Sequence, residues 1–473
     1  MLSVRCNSWP NLTLAIALSA ILCACGGNGV LGSSPGLPGA RALQSKIQHV
    51  VIIVQENRSL NNLFYGYPGA KTATYGYNTS GQKIELQPVT IATDWDLQHN
   101  AKGYFASCNG KGKIPGTNCQ MNGFDNETWG CGSGGPKCPN KNPPYSYVPH
   151  SQTGPYFSMA GQYVLADEMY ASDFDISSFE SHQYIIAGVN PDGTYDYPDG
   201  AWGCPGAPGD AIKVLGPHRN VNDTKTVFPC WDPTTLADEL DQAALPWAFY
   251  AVPLKAKGSG SGKLCGNGIG SDGNGYRSAI WSAYQAIKHI CYGKDWDNDV
   301  KSPPQKFLND VKNNLAAVTW VTPTYANSDH GGNNSDTGPS WVASVVNAVG
   351  ESQFWSSTAI FIFWDDPGGW YDPEPPQYVD NDGLGYRLPL LIISPYAKQG
   401  LVSHTHYEHG SILKFVEDQF GLARLSESDS RAKSTADAFD FNQSPRQFVP
   451  ISSKYNAGYF THQPVDTRLP DND

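Results

Sequence analysis

Apolar runs of strand length recur along this chain, at residues 50–54, 245–252, 317–321, 359–364 and 388–393. A strand that faces water on one side alternates apolar and polar residues; a run apolar on both sides lies between two layers. Helical spacing separates several of these runs. Val342, Val345, Val346 and Val349 recur at i, i+3, i+4 and i+7, with Pro339 near the start and Gly350 at the stop. Ile412, Val416 and Phe420 form a second stripe, and Ile280, Tyr284 and Ile287 a third. Strands alternating with helices predict an α/β fold with a mainly parallel central sheet. Residues 100–150 and 190–275 carry little periodicity and many turn residues, so they read as insertions over a site. Residues 426–473 are polar and irregular and are expected to pack as a tail on the domain.

The chemistry is concentrated where two of the runs end. The run at 359–364 stops in Asp365-Asp366, followed by Pro367-Gly368-Gly369. Open α/β sheets place ligands at the carboxyl ends of their strands. Neighbouring carboxylates repel unless a cation or proton lies between them. The alternative is a polar turn after a core strand. The run at 50–54 breaks into Gln55, Glu56, Asn57 and Arg58. Glu and Asn oxygens are hard ligands suited to magnesium, calcium, manganese or zinc-type sites. Here the alternative is an exposed Glu56–Arg58 pair. Two strands ending alike favour a shared metal site.

Cysteine usage and the N-terminus point to export. Arg5 precedes a short apolar run at 12–23, then Leu22-Cys23-Ala24-Cys25-Gly26, which resembles a lipobox. Residues 1–24 then form a lipoprotein signal peptide, with Cys25 the lipidated first mature residue. Gly26 behind it is the pattern of outer-membrane sorting. Cleavage by an ordinary signal peptidase is the alternative. The Gly/Ser/Pro-rich residues 25–46 read as a flexible tether. Of the 11 cysteines, Cys6, Cys23 and Cys25 belong to the leader, and the others lie between residues 108 and 291. An even set in an exported chain suggests disulfides whose connectivity sequence alone does not settle. Local pairing is the expectation: Cys108–Cys119, Cys131–Cys138, Cys204–Cys230 and Cys265–Cys291. The spacing of Cys131 and Cys138 does not suit a zinc knuckle. A net charge of −12 argues against nucleic acid as a partner.

Several segments resemble one family. They are VVIIVQENRS at 50–59, SSFESHQYIIAG at 177–188, NSDHGG at 327–332 and FWDDPGGWYD at 363–372. A longer one, YRLPLLIISPYAKQGLVSHTHYEHGSILKFVEDQFGL, fills 386–422. In this order they resemble the bacterial phosphoesterases that include non-specific phospholipases C and respiratory-burst-inhibiting acid phosphatases. The resemblance implies a catalytic domain over 47–425. Its fold would be an alkaline-phosphatase-like three-layer α/β/α sandwich, with disulfide-braced insertions. It also implies a divalent metal (Ca, Mg, Mn, Fe or Zn) held by Glu56, Asn57, Asp365, Asp366 and Ser178. Ser178 matches the nucleophile position. His330 matches a phosphate-contacting histidine, and His99 matches an active-site histidine more loosely. His182, one helical turn after Ser178, is a further candidate for charge stabilisation or leaving-group protonation. His409 reads as structural.

Two departures bear on substrate class. Relatives commonly carry Tyr-Asp-His-Val-Pro-Pro where this chain has Tyr371-Asp372-Pro373-Glu374-Pro375-Pro376. Asp366 stands where phospholipase-type members often have Glu, a form closer to the acid phosphatases. The expected activity is metal-dependent phosphate ester hydrolysis from the outer membrane through a serine nucleophile. A phospholipase C is the first alternative and a non-catalytic surface lipoprotein the second. A sulfatase ranks below these, because the chain has no Cys-x-Pro-x-Arg signature.

Overall fold

The computed structural model describes residues 46–199, 203–206, 209–221, 225–252, 265, 281–464 and 466. The leader, Cys25 and all of the tether but Lys46 lie outside the described residues. Nine strands make the central sheet: β1 (His49–Gln55), β2 (Val164–Tyr170), β3 (Trp247–Tyr250), β4 (Val300–Lys301), β5 (Val318–Val321), β6 (Thr358–Trp364), β7 (Arg387–Ile393), β8 (Leu401–Ser403) and β9 (Tyr407–Glu408). Their order is β4-β3-β5-β1-β6-β7-β2-β8, with β9 also on β2. Every apolar run from the sequence is a strand here, and β6 and β7 are buried along their whole length.

All pairings are parallel except those of β7, which runs antiparallel to both β6 and β2. A parallel return needs a crossover, usually a helix. Between β6 and β7 the chain makes none and doubles back along the carboxyl edge. Apolar patterning did not reveal the short strands β4, β8 and β9, nor β2, the longest of those missed, which Asp167 and Glu168 interrupt. Those carboxylates are buried against partners distant in sequence: Lys71 N–H donates to Asp167 Oδ2 over 2.7 Å, His404 Nδ1 lies 2.8 Å from Asp167 Oδ1, and Lys71 Nζ and His406 pair with Glu168.

Helices cover the sheet in two groups. α2 (His150–Gln162) packs on α4 (Gly338–Gly350), and α3 (Ser178–Ala187) on α5 (His409–Phe420); α1 (Ala101–Cys108) lies in the first insertion. The valine stripe of α4 is wholly buried. The third expected stripe is not one helix. A 3₁₀ turn at Ala283–Ala286 and a short helix at Lys288–Cys291 are separated by Ile287 in extended conformation. Ile287 pairs with Trp231, which accepts from Lys288 N–H over 2.8 Å, so a strand-like contact interrupts the helical ladder. Ile280 lies outside the described residues.

The disulfides are Cys108–Cys119, Cys131–Cys138, Cys204–Cys230 and Cys265–Cys291, the expected local pairing. They brace the insertions. The second insertion carries a small sheet of Thr194–Asp199, Ala211–Val214 and Thr226–Val227, and its sequence then re-enters the core at β3. The tail is tied down by Trp355 Nε1–H donating to Arg446 O over 2.8 Å, and by Phe460 edge-on to Trp341. The result is an α/β sandwich with a mainly parallel sheet.

Candidate active site

The register of β1 on β6 builds the centre of the site. Gln55 pairs with Trp364, so Glu56 and Asp365 emerge side by side at the carboxyl edge. Asn57 follows in the left-handed region at φ 58°. That turn lets its backbone N–H donate to Asp365 Oδ1 over 2.9 Å while its side-chain amide donates to Asp366 Oδ2 over 3.2 Å. Glu56, Asn57, Asp365 and Asp366 are all fully buried.

Four consecutive residues divide into two jobs. Glu56 and Asn57 face the acidic centre. Gln55 and Arg58 clamp the loop that carries His330. Gln55 accepts from Asp329 N–H at 3.0 Å and donates to Asn327 O at 3.2 Å. Arg58 donates to Asp329 O at 2.8 Å and to Ile91 O at 3.0 Å, with its guanidinium over Trp370. Burial lowers the Arg58 pKa to about 10. The exposed Glu56–Arg58 pair that the sequence left open therefore does not form. Beneath the loop, Asp329 accepts from Tyr156 at 2.7 Å and Trp364 Nε1 at 3.0 Å; burial raises its pKa to about 6.

Ser178 opens α3. Its neighbour Ser177 is the cap, with its backbone N–H held by Glu180 Oε2 over 3.2 Å in a capping box. Ser178 Oγ instead donates to Asp366 Oδ2 over 3.3 Å. Asp366 Oδ1 accepts from Gly368 N–H at 2.7 Å and Tyr104 O–H at 3.2 Å. Gly368 is required there: at φ 62°, a Cβ on it would sit 2.1 Å from Asn57 O. Tyr104 lies in the first insertion, and its role on Asp366 had no signal in the sequence.

His182 lies one turn along α3 from Ser178, and that pitch carries it to the carboxylates. Its Nε2 is 3.2 Å from Glu56 Oε1 and 3.8 Å from Asp365 Oδ2. It stands apart from the other two histidines, which pair with each other. The rings of His99 and His330 meet edge-on with centroids 5.2 Å apart. His409 is packed behind the site against Phe363; burial, reinforced by His182, depresses its pKa to about 3 and keeps it neutral.

Glu56, His182 and Asp365 each offer one ligand atom within 4.8 Å of the others. A divalent cation fits this centre. Asn57 Oδ1 and Asp365 Oδ2 are buried there without a hydrogen-bond partner among the described residues, and such oxygens are costly unless paired or ligating. Asp96, His99 and His330 form a second cluster of the same span. There the ring nitrogens beside Asp96 are the Nδ1 atoms, which contact Leu97 O and Gly331 O. A carbonyl only accepts, so those nitrogens carry hydrogen. The second cluster is a carboxylate-backed histidine pair.

Glu127 is a further buried acid that sequence reasoning missed. Glu127 lies opposite His99, because Leu97 bridges Trp129 in antiparallel register and Gln98 N–H donates to Thr128 O. Burial pushes its carboxyl pKa well above the usual range, with Ser107 and His99 offsetting this only in part.

A model of the Phosphoesterase family matches residues 47–423. The hemolytic phospholipase C of Pseudomonas aeruginosa is 24% identical, over 84% of this chain and 56% of that protein. Phospholipase C B of Mycobacterium tuberculosis is 23% identical, over 80% of this chain and 74% of its own. This chain thus spans little more than half of the first relative and about three quarters of the second. Among solved structures, an alkaline phosphatase superfamily protein from Vibrio parahaemolyticus is 10% identical at a TM-score of 0.34, covering 81% of this chain and 69% of that one. The family match runs from β1, through the serine at the head of α3 and the paired aspartates after β6, to the end of α5: the chain belongs to the phosphoesterase family.

Proposed function

We propose that this protein is a metal-dependent phosphoesterase in which Ser178 is the nucleophile. The observation that carries the reading is the convergence of Ser178 Oγ on Asp366 within a buried set of hard oxygen ligands. Glu56, Asn57, Asp365 and Asp366 would hold the cation, with His182 beside them. When bound, a divalent ion there offsets phosphoryl charge and favours ionisation of a neighbouring hydroxyl.

The residues divide the rest. Asp366 Oδ2 holds the hydroxyl hydrogen of Ser178, which leaves an Oγ lone pair for phosphorus. As the Oγ–P bond forms and the ester P–O bond breaks, the Ser178 proton passes to Asp366 Oδ2 and the leaving oxygen takes a proton from the His99–His330 side. Water then gives a proton back to the same histidines as its oxygen bonds phosphorus, the Oγ–P bond breaks, Asp366 returns the proton to Ser178, and phosphate (or, from a diester, a phosphomonoester) departs. The N-terminus of α3 adds backbone dipole to the site.

Substrates on this reading are phosphate esters, either small monoesters or phospholipid headgroup diesters. The phospholipase C relatives favour the diester; the Asp365-Asp366 form favours the monoester. Four disulfides favour an oxidising compartment. We place the protein outside the cytoplasm, with lipidated Cys25 as its membrane anchor.

The test is turnover of p-nitrophenyl phosphate and p-nitrophenylphosphorylcholine, with and without chelator, beside Asp365→Ala. Chelator-sensitive release from the monoester alone supports a phosphatase, and release from the choline diester a phospholipase C. Thermal unfolding gives a second readout. A cation at a hundred times its Kd adds about 2.7 kcal/mol of stability, so chelator lowers the wild-type Tm and leaves that of Asp365→Ala unmoved. Bound metal with no turnover of either ester would favour a binding lipoprotein.

A further inference from the structure

The histidine pair has a common partner that the reading above does not use. Asp96 Oδ2 lies 3.4 Å from His330 Nδ1 and 3.8 Å from His99 Nδ1, and its Oδ1 accepts from Leu97 N–H over 2.8 Å. Side-chain exposure is 16% for Asp96, 0% for His99 and 2% for His330, so the three meet where water screens little.

The backbone is shaped around this carboxylate. A Cβ on Gly331 would fall 2.0 Å from Asp96 Oδ1, a contact that only glycine avoids. Gly332 N–H donates to Trp95 O over 3.0 Å, and Asn334 N–H to Thr93 O over 2.9 Å. These bonds stitch the loop after β5 to the segment that carries Asp96. The segment in turn packs on the turn after β6: a Cβ on Gly369 would meet Gln98 O at 2.8 Å and Leu97 Cβ at 2.9 Å. Asp96 therefore joins two loops from distant parts of the chain, each bringing one histidine to the edge where Asp366 lies.

The ring chemistry follows. Each Nδ1 faces a backbone carbonyl, Leu97 O for His99 at 2.7 Å and Gly331 O for His330. With hydrogen on both Nδ1 atoms, each Nε2 is the atom that takes or gives a proton. A carboxylate near Nδ1 favours the doubly protonated ring, the form that donates to a phosphoryl oxygen or leaving group. Other groups act on the pair as well. Glu127 lies across from His99, Tyr325 has its ring 5.4 Å from His330, and Arg58 interacts with the charge of Asp96. Asp96 is the one that reaches both rings.

We propose that Asp96 is a shared positioning residue for phosphoryl transfer: its carboxylate orients His99 and His330 and holds both in the proton-donating form facing the substrate phosphate. This rests on the phosphoesterase reading.

The test uses the full protein with Asp96→Asn, which keeps the size and the acceptor for Leu97 N–H but removes the charge. The expected result is a loss of about 10–100-fold in kcat/KM for p-nitrophenyl phosphate, the scale seen when an orienting partner is removed. The alkaline limb of the pH profile should move to lower pH while Tm near neutrality stays put. Gly331→Ala, which displaces Asp96 and keeps its charge, should lower kcat/KM in the same way. Side-chain NMR of histidine-labelled protein reads the rings without turnover: His99 and His330 should titrate at lower pH in Asp96→Asn than in the wild type. Unchanged titrations, or a wild-type pH profile in an active Asp96→Asn enzyme, overturn the proposal. Shifted titrations in a protein that hydrolyses no phosphate ester would overturn the phosphoesterase reading instead.

Discussion

Ser178 and Asp366 meet through a single hydrogen bond, the serine hydroxyl donating to Asp366 Oδ2 over 3.3 Å. That bond joins the first turn of α3 to the end of β6 and separates the two adjacent serines into different roles. Ser177 closes the helix; Ser178 faces the acidic centre. The two alanine variants should therefore behave oppositely. Ser178→Ala should lower kcat by roughly 10³-fold or more with little change in Tm. Ser177→Ala should cost about 1 kcal/mol of stability through loss of the cap and keep turnover within a few-fold. Steady-state kinetics and thermal unfolding on the same preparations decide both.

Glu127 makes stability depend on pH in a definite direction. Burial raises its folded pKa well above the ordinary range of a glutamate carboxyl. Its neutral form is then favoured in the folded protein, and the stability it contributes is fully present below about pH 4.5. That contribution falls as pH rises toward the folded pKa, by up to about 1.4 kcal/mol per pH unit. Glu127→Gln keeps the size and removes the titration. Its Tm relative to wild type should rise between pH 5 and 8 and show no such trend below pH 4.5. Parallel Tm–pH curves for the two proteins would contradict this.

Asp372 is placed for architecture. It accepts from Arg387 Nε at 3.0 Å and Nη2 at 3.1 Å, with both side chains fully buried, and from Asn61 N–H at 3.2 Å. It therefore ties the turn after β6 to the start of β7 and to the helix Leu60–Leu63. Asp372→Ala strands a buried guanidinium and should cost about 3–5 kcal/mol, read as a shift in denaturant midpoint. A shift below 1 kcal/mol would mean that Arg387 finds another partner. Pro373 follows directly, so no imidazole stands next to this structural acid along the chain.

Much of the fold was legible because burial on both faces leaves a continuous apolar run. The strands at 50–54, 359–364 and 388–393 appear with their ends shifted by one residue. β2 escaped because Asp167 and Glu168 are neutralised by Lys71, His404 and His406, partners that no local pattern reveals. The stripe at Ile280, Tyr284 and Ile287 misled for the converse reason: its spacing is helical, but Trp231 draws Ile287 into an extended pairing. The disulfides followed from nearness along the chain, since short loops close most readily.

The site divides in the same way. Which residues gather at the site was set locally: Glu56 and Asn57 end one apolar run, Asp365 and Asp366 end another, and Ser178 heads a helix. How they are arranged is a matter of register and packing, which depend on long-range pairing. The parallel pairing of β1 with β6 brings Glu56 beside Asp365, and the left-handed turn at Asn57 then aims its amide at Asp366. Helical pitch set against that sheet turns His182 toward the carboxylates. The insertion at 100–150 adds what sequence had no means of exposing, Tyr104 on Asp366, and the segment just before it sets Asp96 beside His99 and the distant His330. Residue identity is a property of the chain; distance and orientation between residues far apart in it arise only when the sheet closes and the loops pack across its edge.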